Sequence, residues 1–269
     1  MKKLILVIVI TAMAASMHAQ ELYPYTEPAS NMPTNSVSAR FTANFRTSNS
    51  LKQKYLPEIM FGLSRKLMVH LGNSFSDMHT SAVKWEGVYT YVKYRFLSFD
   101  EVHQHFRMAA FVEGGYSRNP VDYEELNFTG DMSGVQTGII ATQLINKVAV
   151  SASASFLKTI DEPNELALNS FSDKAINYSF SAGLLVLPFR YKDYNQTNLN
   201  IYTEVLGQKL IGDNKYYIDF APSIQFIFKS TAKLNVGYRF QLDGNELRNT
   251  DRSIMASFEY IFLNALRKK

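Results

Sequence analysis

Between residues 36 and 262 the chain alternates apolar and polar residues almost one for one, and helical periodicity is nearly absent. Successive side chains of a β-strand point to opposite faces, so this pattern specifies strands with one apolar and one polar side. In the first such segment Val37, Ala39, Phe41, Ala43 and Phe45 alternate with Ser38, Arg40, Thr42, Asn44 and Arg46. The pattern returns about twelve times, near 36–47, 55–64, 67–76, 86–96, 105–117, 133–143, 148–158, 175–187, 197–209, 215–228, 232–242 and 252–262. Most segments are close to the ~9–11 residues that cross a bilayer at a tilt, and an even number lets a barrel close with both ends on one side. The expected fold is all-β, an antiparallel transmembrane β-barrel of about twelve strands over 36–263.

Two further patterns point the same way. Tight connections at Ser64-Arg65-Lys66, Ile145-Asn146-Lys147 and Lys229-Ser230-Thr231 alternate with long polar loops at 77–85, 118–132 and 159–174, although 97–104 and 188–196 read as longer turns on the short side. On the apolar face, aromatics gather at strand ends. Phe45, Phe75, Tyr116, Phe156, Tyr178, Tyr216 and Phe240 mark the external end; Phe96, Phe106, Phe228 and Phe262 mark the periplasmic end. Two aromatic girdles around an aliphatic band suit a bilayer, whereas a soluble β-sandwich has no need of them. Pro57 and Pro222 fall within strands, where each removes a ladder donor, and a bulge or local break is expected at Pro222.

Residues 1–20 carry a basic start, an apolar run over 4–15 and a small-residue exit ending in His18-Ala19-Gln20, the three parts of an export signal. Removing it takes Lys2 and Lys3 from a net charge of +4, too little positive charge to point to nucleic acid. Residues 21–35 hold three prolines and no alternation, which leaves a periplasmic leader or a short plug folded into the lumen. Residues 264–269 form a basic tail. The chain has no cysteine, which excludes disulfides, thiolate metal sites, a cysteine nucleophile and N-terminal lipidation.

Together the signal ending in His-Ala-Gln, the alternating strands and the aromatic last strand resemble Gram-negative outer-membrane β-barrels of the porin type. The Ala-Gln exit and the Tyr/Asn-rich loops are similar to those of Bacteroidetes. The resemblance covers about 36–262 and implies that Phe258, Tyr260 and Phe262 are read by the barrel-assembly machinery; the family usually ends on that aromatic, whereas this chain continues to Lys269.

If the apolar face meets lipid, the polar face lines a lumen. That places Arg40, Arg46, Lys93, Arg95, Arg107, Lys233 and Arg239 inside with Glu58, Glu113, Glu204, Asp219 and Glu259. Lys93, Arg95 and Arg107 fall on neighbouring strands, with Glu204 and Asp219 almost opposite. Either a basic wall faces an acidic one across a pore, or the charges pair and fill the interior. His103 and His105 form an H-x-H pair, and Met68, His70, Met78 and His79 are soft donors, but no carboxylate cluster completes a metal site. No G-x-S-x-G elbow occurs, and His70 is followed by Leu71 and Gly72 with no serine two residues on. The expectation is a non-enzymatic outer-membrane barrel without cofactor, whose partners are the bilayer and a small polar solute passing through a narrow channel. A plugged structural barrel, a barrel whose acidic loops bind a partner, and an outer-membrane hydrolase are the alternatives.

Overall fold

The computed structural model describes residues 23–47, 51–101, 104–164, 168, 171–188 and 195–267. Residues 1–20, expected to be an export signal, His103 and the final two residues of the tail lie outside them. Twelve strands follow one another: β1 (Ser36–Thr47), β2 (Leu51–Gly62), β3 (Leu67–Ser76), β4 (Lys84–Glu101), β5 (Gln104–Ser117), β6 (Gly134–Ile145), β7 (Val148–Thr159), β8 (Lys174–Leu187), β9 (Asn198–Leu210), β10 (Tyr216–Phe228), β11 (Ala232–Gly244) and β12 (Arg252–Phe262). Each pairs antiparallel with its sequence neighbours, and β12 returns to β1 to close the barrel, with Arg40 opposite Glu259 and Phe41 opposite Phe258. Closure leaves no strand edge unpaired. Both barrel ends of the chain sit on the side of the short connections, where Leu266 N–H donates to the Asn35 carbonyl at 3.0 Å.

Alternation sorts the faces. Phe41, Ile59, Leu71, Val112, Ile139, Phe180, Val236 and Phe258 are exposed on the outside, while Lys54, Glu58, His70, Lys93, Glu204 and Asp219 are buried within. An exterior of this chemistry is the inverse of a water-soluble protein.

Strand ends differ from the pattern where ladder pairing overrides it. β2 begins at Leu51, four residues before the expected start, which brings Lys54 into the interior. The turn expected over 97–104 is mostly ladder instead, with Phe99 opposite Phe106 and Asp100 opposite His105. Phe96 is therefore exposed well inside β4 rather than at its tip, beside a register shift between Arg95 and Leu97. At Pro222 there is a break without a bulge: β10 stays in register with β11, but Ala221 and Pro222 drop out of that ladder, and the shift falls at Ile218/Asp219. Pro57 does the same on its β3 side, where pairing skips from Tyr55 to Glu58. In both cases the lost donor is confined to one side of the strand.

Two glycines on the inner face make room for rings. Gly72 sits opposite Tyr89, and a Cβ there would lie 2.1 Å from the ring. Gly183 sits opposite Tyr202 in the same way, at 2.3 Å. Each ring lies across its neighbour strand at a height that any side chain would block.

The interior is occupied from both ends. From the termini side, residues 23–33 rise into the lumen. Ala29 packs among Tyr91, Ala109, Phe111 and Ile140, and Tyr23 packs against Leu144, Ala149 and Tyr202. From the opposite side, the β5–β6 loop folds inward, and its Val121, Leu126, Phe128 and Met132 join Leu157, Leu168, Ala175 and Leu210 in one apolar cluster.

Candidate functional site

Between the two insertions lies a cavity of about 810 Å³. Arg40, Arg46, Glu58, Arg95, Arg107, Glu113, Asp219, Lys233, Arg239 and Glu259 line it, with His70, Gln225 and Asn235. Lys93 and Glu204 also point inward but are fully buried, because residues 23–33 cover them. The structure thus brings the twelve charged strand positions into one interior.

Those charges are mostly paired. Arg40 reaches Glu58 at 2.8 Å, and Glu58 also holds His70 at 2.6 Å. Lys233 and Glu259 meet at 3.0 Å, and Ser38 donates to the same carboxylate at 2.9 Å. Arg107 pairs with Asp100 at 2.8 Å and donates to Ser30 Oγ at 2.9 Å. Of the two arrangements open in the sequence, a pairing network rather than two opposed walls fills much of the section. Burial makes such partners necessary, since an unpaired charge in a dry interior is costly.

The N-terminal segment is woven into this network. Tyr25 N–H and the Thr26 hydroxyl both donate to Glu204, at 2.9 and 2.6 Å. Ala29 N–H donates to Thr142 Oγ1 at 2.9 Å. Lys93 donates to the carbonyls of Pro28 and Ser30, at 2.6 and 2.9 Å. Of the segment's prolines, Pro28 offers its carbonyl to Lys93 and Pro33 offers its carbonyl to the Ser36 hydroxyl.

At the opposite mouth a second network forms between loops and wall. Asp219 holds Arg239 at 2.5 Å and Arg248 at 2.8 Å; Arg248 also reaches Glu125 at 3.1 Å. The Arg248 guanidinium lies 3.7 Å from the Tyr217 ring centroid. Burial pushes the Glu125 carboxyl up, but Arg248 and Arg239 outweigh it and hold it down at about 2. Glu246 in the β11–β12 loop has the opposite fate: burial first, then Glu125, push it up to about 8. Asp131 closes the mouth on the other side, 2.8 Å from the buried Lys54. Gln208 pins the inward loop by accepting from Leu126 N–H and donating to its carbonyl, at 2.8 and 2.9 Å.

Several of these residues escaped the strand pattern. Glu27, Glu125, Asp131 and Arg248 belong to loops or to the leading segment, where alternation carries no information. Glu86 points inward to accept from Ser74 at 3.0 Å because a register shift at Ser74/Phe75 reverses the parity of β4 beside it. A usable signal was present all the same. Ala109, Phe111, Ile140, Leu144, Ala149 and Leu157 are apolar residues on otherwise polar faces, and they mark where the two insertions dock. His70 lies inside, 5.0 Å from the Tyr91 ring centroid. His105 is buried and faces Asp100 at 3.1 Å, and His79 faces Asp122 at 3.3 Å in the loops. Among the described residues no three His, Asp or Glu side chains gather as a metal cluster.

An outer membrane channel from Pseudomonas putida F1 superposes with a TM-score of 0.58 over 90% of this chain and 100% of that one, at 12% identity. The chain has the fold of outer-membrane β-barrel channels. The NanC porin is a second likeness, with a TM-score of 0.50 over 84% of this chain and 98% of that one, at 8% identity. At such identities the likeness is one of fold. No family model and no curated protein sequence matches the chain. The barrel of this fold here carries its charged network inside and its aliphatic and aromatic side chains outside.

Proposed function

We propose that the chain is a porin-like channel of a Gram-negative outer membrane, carrying small polar solutes through its charged lumen. The observation that carries this reading is the combination of a closed barrel, an exposed apolar exterior and an interior cavity of about 810 Å³ lined by charged side chains. The likeness to an outer membrane channel and to a porin supports it. In this reading residues 1–20 direct export, the aromatic girdles sit at the two bilayer interfaces, and Phe258, Tyr260 and Phe262 engage the assembly machinery. Residues 23–33 close the periplasmic half and the inward β5–β6 loop narrows the external one, so passage requires the leading segment to move.

The test is single-channel conductance of the refolded chain in a planar bilayer. Discrete, salt-dependent steps are expected, with reversal potentials that shift when Arg40 or Arg107 is changed to glutamate. A barrel that inserts and stays silent at every voltage refutes the channel and favours a structural or loop-binding role.

A further inference from the structure

The wall holds residues 23–33 much as it would hold a ligand, and Lys93 shows what kind. Its ammonium is fully buried on β4, and all of its hydrogen bonds go to this segment: to the Pro28 and Ser30 carbonyls at 2.6 and 2.9 Å and to Glu27 Oε2 at 3.3 Å. The other Glu27 oxygen, Oε1, lies 3.4 Å from Arg40 Nη1. One carboxylate thus bridges an ammonium and a guanidinium, one oxygen to each. The wall's own acid, Glu58, is already committed to Arg40 and His70. When the segment leaves, Arg40 keeps a partner and Lys93 does not. With the segment gone, Lys93 and Arg40 both face the lumen and no Glu27 oxygen sits between them, so the vacated seat presents two cations to an entering anion.

We propose that the Glu27 seat is a carboxylate-binding site of the open channel, with residues 23–33 as its built-in competitor. The inference rests on the channel reading above and names its solute class: a small monocarboxylate takes the place of the Glu27 side chain between Arg40 and Lys93. Glu58 faces the same cavity, and its negative charge favours a singly charged solute over a phosphate dianion. Opening is then coupled to supply. The solute that needs passage competes the segment off its anchor, and the two occupants exclude each other by the same two cations.

The chain contains no cysteine, so Ser30→Cys gives the full chain a single thiol on the segment. The experiment measures its maleimide reaction rate in vesicle-embedded protein, titrated with sodium acetate against sodium chloride at equal ionic strength. Acetate is expected to raise the rate on the order of tenfold, a typical size for coupling between competing occupants. Glu27→Gln is expected to give the fast rate without acetate, and it alters a residue outside the barrel wall, so the readout does not depend on refolding a changed strand. Lys93→Gln is expected to remove the acetate response. Equal effects of acetate and chloride, or none, overturn the seat. Phosphate matching acetate overturns the monocarboxylate assignment. Conductance separates the two readings: a conducting barrel with no acetate response leaves the channel standing without the seat. A barrel that responds to acetate and never conducts overturns the channel, and with it any role of the seat in permeation.

Discussion

The membrane reading predicts a gradient along a single strand. Val135 and Ile139 share β6 and its outer face, and they are equally exposed, at 51% and 52%. They differ in depth. Ile139 lies five residues from Gly134, the first residue of β6; at ~3.4 Å per residue and a tilt near ~40° that is about 13 Å along the bilayer normal. Half of an apolar band ~25 Å tall is about the same distance, so Ile139 sits near the midplane and Val135 near an interface. Arginine costs ~2–4 kcal/mol at the midplane and ~0–1 kcal/mol at the interface. Ile139→Arg should therefore lower the folding equilibrium constant roughly 30- to 900-fold, and Val135→Arg less than about tenfold. Urea-dependent folding into phosphatidylcholine vesicles, followed by heat-modifiable gel mobility, measures both. In water the two substitutions are equivalent, because exposed surface changes stay within about 0.5 kcal/mol. Two variants within that margin of each other and of the parent chain would refute the bilayer placement of this face.

Other consequences follow from the networks at the external mouth. Asp131→Asn strands the buried Lys54 ammonium and should destabilise the barrel by about 3–5 kcal/mol in the same urea assay, with partial recovery in Lys54→Met/Asp131→Asn. Arg248→Ala removes one of the two guanidinium ties between Glu125 and Asp219, leaving Arg239 as the other, and should increase single-channel conductance; an unchanged value would mean that this clamp does not limit the path. Glu246 has a folded pKa of about 8 against an ordinary 4.5, so the folded barrel holds a proton that the unfolded chain has lost. Its contribution is complete below about pH 4.5 and fades as pH rises to about 8, and Glu246→Gln should flatten stability over that window. Glu125, held at about 2, acts in the opposite sense: its contribution is present above about pH 4.5 and is lost toward pH 2, so Glu125→Gln should reduce the acid sensitivity.

The barrel was legible in the sequence because a strand with lipid on one side and a lumen on the other must alternate over most of its length. That constraint fixes strand number, facing and the inward direction of residues such as Arg40, Glu58, Lys233 and Glu259. It weakens where hydrogen bonding rather than solvent chemistry sets the structure. β4 and β5 extend to Glu101 and Gln104 through a stretch with charged residues on both faces, because ladder bonds continue below the apolar belt. Pro222 interrupts its ladder without shifting register, since the missing donor can be localised on one side. The site was less legible than the wall. Glu27, Glu125, Asp131 and Arg248 reach it from irregular segments, and irregular backbone has no periodicity that tells where a side chain points. Only the apolar residues misplaced on inner faces hinted that something from elsewhere in the chain would cover them.

The leading segment also sets an order of events in time. Its wall partners stand far along the chain: Ala29 bonds to a residue 113 positions later and Tyr25 to one 179 positions later. Residues 25–29 thus wait until β9 exists before their last contact can form. β1, joined directly to this segment, must at the same time keep one edge open for β12. Ring closure at the β1–β12 seam and seating of residues 23–33 are therefore both late steps of assembly, and each depends on strands made long after the segment itself. Slow formation of such long-range contacts is the general cost of high contact order. Here it has a useful side: a barrel still under construction offers the leading segment Arg40 and Lys93 without Thr142 and Glu204, so its lumen becomes fully plugged only when its wall is nearly complete.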